Sequence, residues 1–228
     1  MIAPVLRQWW EKSGLILMSG VCLPLLGFTL IAWRVWGLDG GFSWDVTILE
    51  AIHGTARPAL TQFAAIVTQF GSAWRLLPMM VALAGLFAYR QQRRSLLYLV
   101  VTLLGSTAIN LYAKTFWHRL RPHLWDSSFP PLTDFSFPSG HAMSSMVAAA
   151  VLITLCWHTR WRWLVLAVGS AYVVGIGWSR LYLGVHYPSD ILAGWMIAIA
   201  WVVSMNLLIN PSASHAASPL EPPTSLDS

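Results

Sequence analysis

Charged side chains are scarce in this sequence. Lysine, arginine, aspartate and glutamate make up 10% of the 228 residues, against about 25% in an average soluble domain. The formal net charge is +5, but the cations form no dense basic face of the kind that holds nucleic acid. They lie instead at the ends of apolar segments, as is typical of membrane proteins. We therefore expect no nucleic-acid partner, and no obligate protein partner is evident.

Cysteine is also rare, with two residues in the whole chain. Cys22 and Cys156 both lie inside apolar segments. We interpret them as small buried hydrophobic residues and not as a disulfide or a metal site.

Apolar residues are what the chain has in abundance. They make up 56% of the sequence, which also contains 14 tryptophans, and the mean hydropathy is +0.58. This composition predicts an all-α integral membrane protein with a single embedded domain over residues 1–210. The segment 211–228 is rich in proline, serine and alanine without periodicity, and we expect a disordered cytoplasmic tail there.

Long runs without charge predict the membrane-spanning helices. A helix needs about 20 residues to cross a bilayer, and about 17 at the low end. The runs of spanning or near-spanning length are 13–33, 76–90, 95–113, 142–157, 163–179 and 191–209, which predicts a bundle of six helices. The first run is too long for a signal peptide and is followed by no cleavage site, so we expect a retained span.

The segment from Pro58 to Trp74 permits two interpretations. Its apolar residues recur at helical spacing, but threonine and glutamine interrupt them. We expect an amphipathic helix at the membrane interface before the second span. A seventh span is the alternative.

The basic residues predict the orientation. Six spans place both termini on one side of the membrane, and the 14 cations then divide equally between the two sides. Setting aside Lys114, Arg121 and Arg180, which belong to the candidate site below, leaves seven cations on the side of the termini against four. Since cations are enriched in cytoplasmic segments, we expect cytoplasmic termini and an extracytoplasmic site, in a bacterial inner membrane.

Three clusters of polar residues lie at the ends of the predicted spans, all at the same membrane face. They are Lys114 with Arg121-Pro122, then 138–141, then Ser179-Arg180 with His186 and Asp190. Charged residues beside a bilayer are costly, so a group of them predicts a functional site.

The second cluster, Pro138-Ser139-Gly140-His141, is typical of a turn that leads into a helix. Ser139 can cap that helix, and Gly140 permits close approach of a ligand to the backbone. Free N–H groups at a helix start bind anions. An ordinary helix cap is the alternative.

Lys114, Arg121 and Arg180 carry donors that suit phosphate oxygens. For any one of them, a snorkelling cation at a helix end is the simpler interpretation. Three at one face favour a phosphate site.

The last cluster contains an imidazole and a carboxylate that are four residues apart in the sequence. Asp190 can accept the Nδ1–H of His186, which leaves Nε2 as a nucleophile. His141 can protonate a leaving alkoxide. The alternative is an interfacial histidine and an aspartate that the helix dipole favours.

In order along the chain, these positions read Lys-x6-Arg-Pro, Pro-Ser-Gly-His and Ser-Arg-x5-His-x3-Asp. The pattern resembles the type 2 phosphatidic acid phosphatase superfamily, which also contains vanadium haloperoxidases and glucose-6-phosphatases. Every motif position is met. The arrangement of spans is similar to that of bacterial membrane members over most of residues 10–210.

The resemblance implies a role for each residue. His186 would attack phosphorus and form a phosphohistidine, Asp190 would orient it, and His141 would act as the acid. The phosphoryl oxygens would be held by the remaining motif residues, which are Lys114, Arg121, Ser139, Gly140 and Arg180. The implied partner is a membrane lipid phosphate, such as undecaprenyl pyrophosphate, phosphatidylglycerophosphate or phosphatidic acid, among bilayer lipids.

The motif contains one acid, Asp190, with Asp126 and Asp134 in the intervening loop. Two-metal phosphatases need several converging oxygen ligands, so we expect activity without a metal or another cofactor. A phosphotransferase with the same intermediate and a non-enzymatic lipid or anion transporter are the alternatives. A vanadate-dependent peroxidase is chemically possible on the same residues. His118 and His123 are left out of the site, and Trp117, Trp125 and Trp178 are expected in an interfacial aromatic belt.

Overall fold

A computed structural model describes residues 14–37, 40–125 and 134–211. Every regular element in these ranges is helical, as the composition predicts. We number the α-helices α1 to α8 in chain order. Their bounds are Gly14–Val35, Ser43–His53, Pro58–Val67, Ala73–Tyr89, Arg93–Trp117, Gly140–Cys156, Arg162–Tyr182 and Pro188–Ile209. Helix α1 contains a π-helical turn at Met18–Cys22, and a 3-10 turn at Thr68–Gly71 follows α3.

Four of these helices are long and apolar enough to cross a membrane, namely α1, α5, α7 and α8. Helix α3 with its 3-10 turn and helix α4 meet the same criterion as one span bent by 43°. Helix α6 is apolar but has 17 residues. The structure therefore contains four to five candidate spans in the described residues, and many large apolar side chains lie exposed on them, as an integral membrane protein requires.

Helix starts follow the local sequence. Pro58 and Pro188 begin α3 and α8, where a missing N–H costs nothing. The Ser139 hydroxyl accepts a hydrogen bond from Ala142 N at 3.4 Å and caps α6. Asp190 lies in the first turn of α8 and its carboxylate accepts from Tyr187 N at 2.9 Å. The Ser139 cap of α6 and the acid Asp190 of α8 therefore also bring polar groups to one end of the bundle.

Helix α8 lies at the centre of the bundle and packs against α1, α5 and α6. The largest core cluster joins Tyr98 and Leu99 of α5, Val147 of α6 and Val202 of α8. Glycine allows α8 to approach the start of α6 closely, because a Cβ at Gly194 would lie 2.9 Å from the Ser139 carbonyl oxygen. Small residues at helix contacts are the usual means of packing in membranes.

Two details differ from the sequence prediction. Cys22 is exposed on α1 and Cys156 is half-buried, so the prediction that both are buried is wrong, although both are free thiols. Pro211, the first residue of the predicted tail, is buried, and its carbonyl oxygen accepts from Ser95 Oγ at 3.4 Å. Residues 212–228 of the predicted tail, and the cations Arg7 and Lys12, lie outside the described residues.

Candidate active site

The predicted site residues converge on one end of the bundle. Lys114 lies in the last turn of α5, and Arg121 follows that helix after the left-handed residue His118. Arg180 lies in the last turn of α7. His186 lies in the connection to α8, and Asp190 lies in the first turn of α8. Because α5 and α7 end where α6 and α8 begin, clusters distant in sequence become neighbours in space.

His186 is held at both ring nitrogens. Its Nδ1 lies 3.3 Å from Asp190 Oδ2, and its Nε2 lies 3.1 Å from Arg121 Nη1. Only 1% of the residue is exposed. Burial, together with the positive charges of Arg121 and Arg180, lowers the pKa of His186 well below its ordinary value. A neutral ring that donates from Nδ1 to the carboxylate directs the lone pair of Nε2 at the guanidinium of Arg121.

The cations Lys114 and Arg121 share a carboxylate in this structure. Arg121 Nη2 donates to Asp134 Oδ1 at 2.6 Å, its Nε donates to the Asp134 carbonyl oxygen at 2.9 Å, and Lys114 Nζ donates to Asp134 Oδ2. Arg121 Nη1 also donates to the Val185 carbonyl oxygen at 2.6 Å. Asp134 was considered above only as a potential metal ligand in the loop. It occupies two donors that the motif assigns to phosphate.

Arg180 has a buried donor without a partner in the part of the chain that the structure describes. The residue is 2% exposed, and its Nη1 donates to Thr68 Oγ1 at 3.0 Å. Its Nε has no hydrogen-bond partner among the described residues. A buried donor without a partner carries a desolvation cost of about 1–3 kcal/mol, so this N–H can gain from contact with an anion.

Ser139 and Gly140 lie where α6 and α8 meet. Ser139 is fully buried, and its N–H donates to the Asp190 carbonyl oxygen at 3.1 Å. A Cβ at Gly140 would lie 3.1 Å from Asn110 Oδ1, and Asn110 in turn donates to the Pro138 carbonyl oxygen at 3.3 Å. Here Ser139 serves as a helix cap and as a link between helices. Its contact with phosphate stays a prediction.

His141 is half-buried in the first turn of α6. A Cβ at Gly71 would lie 3.4 Å from its Cδ2 atom, so the 3-10 turn after α3 packs against the ring. Gly71 also accepts a hydrogen bond from Ser144 Oγ of α6 through its carbonyl oxygen. The predicted acid is therefore positioned by a segment that the motif does not include.

Arg119 and Asp45 are the residues that the sequence interpretation missed. Both side chains are completely buried, and Arg119 Nη2 donates to Asp45 Oδ2 at 2.9 Å. Arg119 Nη1 donates to Asp190 Oδ1 at 2.6 Å and to Ser189 Oγ at 2.8 Å. Arg119 is one of the four cations that the sequence analysis counted on the side opposite the termini, without a role in the site. A contact over 74 residues leaves no periodic signal, although an acid inside the apolar segment 41–49 is unusual in this chain.

The histidine and tryptophan residues that the sequence analysis left out of the site have surroundings of their own. His118 and His123 are exposed. Trp125 stacks on His53 with ring centroids 4.0 Å apart, and Trp117 donates from Nε1 to the Ala32 carbonyl oxygen at 2.9 Å. The interfacial aromatic belt stays a prediction.

Potential metal ligands are dispersed. Within residues 14–37, 40–125 and 134–211, no group of three or more histidine, cysteine, aspartate or glutamate side chains is placed to hold a metal ion. Independence from metal stays a prediction that requires an assay.

Comparisons with known proteins agree with the geometry. The pattern of the PAP2 superfamily matches residues 95–212, which hold all the predicted site residues. The phosphatidylglycerophosphatase B of Bacillus subtilis is 32% identical over 165 residues, or 68% of this chain and 78% of that protein. An undecaprenyl-diphosphatase of Sulfolobus acidocaldarius is 24% identical over 205 residues, or 88% of this chain and 90% of that protein.

A solved structure shares the fold. It is the crystal structure of the first transmembrane PAP2 type phosphatidylglycerolphosphate phosphatase from Bacillus subtilis. The TM-score is 0.71 at 26% sequence identity, and the alignment covers 88% of this chain and 98% of that one. The resemblance that the three motifs indicate is thereby confirmed.

Proposed function

Because this chain belongs to the PAP2 superfamily and is a membrane hydrolase of lipid phosphates, we propose that it works through a phosphohistidine at His186. The observation that carries the proposal is the placement of His186, whose Nδ1 lies against Asp190 and whose Nε2 lies against Arg121. An imidazole that is neutral, buried and oriented at both nitrogens is an activated nucleophile beside a phosphate-binding cation.

The proposed reaction has two steps. His186 Nε2 attacks phosphorus, the bond from phosphorus to the lipid oxygen breaks, and His141 gives a proton to that oxygen. Water then attacks the phosphohistidine, His141 takes up the proton of the water, and inorganic phosphate leaves with Nε2 restored. The ring becomes cationic in the first step, and the carboxylate of Asp190 stabilises it. Phosphoryl transfer depends mainly on such positioning and charge stabilisation.

The proposed phosphate site consists of Lys114, Arg121 and Arg180, with Ser139 and the amide of Gly140. The unpartnered Nε of Arg180 supports it, since this donor is buried and lies in the group of cations that influence His186. Charge-assisted bonds from forked guanidinium groups suit phosphoryl oxygens. No residue of this set needs a metal to bind the anion.

The proposed substrate is a lipid monophosphate or pyrophosphate, with undecaprenyl pyrophosphate, phosphatidylglycerophosphate and phosphatidic acid as candidates. An apolar cavity of about 530 Å³ between α4, α6 and α7 supports a hydrocarbon tail. Phe70 and Tyr172 line its end nearest the 3-10 turn, and Tyr172 donates to the Phe70 carbonyl oxygen at 2.8 Å. The same turn contacts His141 and Arg180, so the cavity adjoins the phosphate site.

The proposed topology has six spans, with α6 crossing despite its length and α3 at the interface. The termini are cytoplasmic and the site faces the extracytoplasmic side of a bacterial inner membrane. The distribution of cations supports this orientation, with seven on the side of the termini against four once the site residues are set aside.

A panel assay tests the proposed chemistry. The purified protein in detergent with EDTA should release phosphate from at least one of the candidate lipids. Brief incubation with a substrate carrying labelled phosphate, followed by denaturation, should trap label on the wild type and none on His186→Ala. His123→Ala removes an exposed histidine and serves as the matched control.

Persistent labelling of His186→Ala contradicts the nucleophile assignment. Transfer of label to a lipid alcohol without release of phosphate supports the phosphotransferase instead.

A further inference from the structure

Behind the proposed nucleophile lies a buried group of three charges, of which the reaction above uses Asp190 and leaves Arg119 and Asp45 without a role. Arg119 lies between the carboxylates of Asp190 and Asp45, at 2.6 and 2.9 Å, and all three side chains are fully buried. Its guanidinium also lies over the ring of Tyr187, 4.3 Å from the centroid. One cation and two anions leave this group with a net negative charge beside His186.

The oxygens of both carboxylates are held by fixed donors. Asp45 accepts from Ser189 N at 2.8 Å, from Ser189 Oγ at 2.6 Å and from Phe42 N at 3.1 Å, besides Arg119. Asp190 accepts from Tyr187 N at 2.9 Å, from Arg119 and from His186 Nδ1. Of this set, the imidazole and the carboxylate of Asp190 take part in the proposed chemistry. Neither carboxylate can rotate without breaking a buried hydrogen bond.

We infer that Arg119 and Asp45 are positioning residues for the reaction, which hold Asp190 ionised and aimed at Nδ1 of His186. The inference rests on the proposed role of His186. A carboxyl group buried without a counter-charge takes up a proton, and a protonated Asp190 would stabilise the cationic ring poorly. Arg119 supplies the counter-charge and fixes the orientation of the carboxylate by hydrogen bonding.

Asp45 has a distinct effect, because it shares the same guanidinium. If Arg119 served Asp190 alone, it would neutralise that carboxylate fully and weaken its attraction for the imidazole. The carboxylate of Asp45 offsets part of the positive charge of Arg119 that would otherwise act on Asp190. The group therefore keeps a net negative charge with which to balance the positive ring of the phosphohistidine.

The two residues predict opposite shifts in a pH profile. Five charged or titratable groups surround Asp190. Arg119 bonds to it and links it to Asp45, His186 and Tyr187 precede it in the chain, and Arg121 lies on the far side of the imidazole. Removing the cation favours protonation of Asp190, so the acid limb of kcat/KM should move to higher pH in Arg119→Met. Removing the competing anion favours ionisation, so the acid limb should move to lower pH in Asp45→Asn.

The experiment measures kcat and KM across pH for the full chain in detergent, with a short-chain phosphatidic acid as substrate. In Arg119→Met, kcat should fall about 100-fold, the upper end of the range for losing a partner that orients a ligand in metal sites. KM should change little, because Arg119 does not touch the phosphate site. Arg119→Lys keeps the charge and should recover part of kcat. Arg57→Met removes an exposed cation and is the control.

A purely structural role gives a different result. Acid limbs that stay in place in Arg119→Met and Asp45→Asn, with losses of kcat that match the folded fraction, overturn the inference. If Arg119→Met fails to fold, an unmoved acid limb in Asp45→Asn alone overturns it. Failure of this inference is distinct from failure of the proposed function. The latter is decided by labelling of His186→Ala, which does not depend on Arg119.

Discussion

Asp134 provides the sharpest test of how the phosphate site works. Its carboxylate bonds to both Lys114 and Arg121, which are proposed to bind phosphate, so we expect an incoming phosphate to displace it. Replacing it by asparagine removes the competing charge and keeps the size of the side chain. We therefore expect Asp134→Asn to bind inorganic phosphate and vanadate more tightly than the wild type.

The expected gain follows from exposure. The Asp134 side chain is 54% exposed, against 13% for Lys114 and 9% for Arg121. Exposed ion pairs contribute about 0.2–1 kcal/mol each, so the two pairs together are worth about 1 kcal/mol after screening by solvent. That free energy corresponds to about a five-fold lower inhibition constant. The contact from Arg121 Nε to the backbone carbonyl of residue 134 survives the change.

The effect should also depend on salt and pH. Burial raises the pKa of Asp134, but the hydrogen bond from Lys114 and the charge of Arg121 outweigh it and hold that pKa below its ordinary value. The carboxylate therefore stays ionised at neutral pH, and its competition is lost only as the pH falls below about 4. The advantage of the variant should shrink at high ionic strength.

The assay is inhibition of phosphate release in detergent by inorganic phosphate and by vanadate. Glu50→Gln removes an exposed acid of α2 and is the matched control for the change in net charge. Asp134→Glu keeps the charge and should stay close to the wild type. Inhibition of Asp134→Asn that is unchanged or weaker would show that Asp134 orders the cations and does not compete with phosphate.

The remaining predictions concern the nucleophile and the metal. Asp190→Asn should fold yet lose turnover by about 10⁴-fold, by analogy with the orienting aspartate of a serine-protease triad; near-normal rates would leave that residue a helix cap. Because the pKa of His186 is lowered in the folded state, the unfolded state binds the proton more tightly below pH about 6.5, and stability should fall on acidification by up to about 1.4 kcal/mol per pH unit. Thermal midpoints should show that fall in the wild type and less of it in His186→Gln, and equal slopes would contradict it. Activity should persist in EDTA, and a loss that Mg²⁺ restores would contradict a metal-free reaction.

Much of the fold could be predicted from the sequence, because charged residues are rare and the runs without charge mark the helices. Charge-free runs predicted α1, α5, α7 and α8 to within a few residues at most ends. The segment 58–89 was harder, since polar residues interrupt α3 and the bend of 43° lies between two helices that meet the spanning criterion only together. Hydropathy averages over such a break and does not distinguish an interfacial helix from a bent span.

The residues of the site could be predicted from the sequence only where they belong to one of the three motifs. His186 and Asp190 are four residues apart, so their contact follows from local geometry. The link from Asp45 to Arg119 and the bond from Arg180 to Thr68 join segments 74 and 112 residues apart, which no spacing rule predicts. Asp134 was visible as an acid in the loop, but its bonds to Lys114 and Arg121 join residues 20 and 13 positions apart outside any regular helix, where no periodicity predicts a contact.

The bond from Ser139 N–H to the Asp190 carbonyl oxygen, with Gly194 against Ser139, has a mechanical consequence. It fastens the start of the helix that carries His141 to the start of the helix behind His186, backbone to backbone. The proposed nucleophile and the proposed acid thus belong to one stiff frame, whereas Lys114 and Arg121 are also joined to the half-exposed Asp134. We therefore expect head groups of different size to be accommodated by movement of Asp134 and Lys114, at a constant spacing between the two imidazoles.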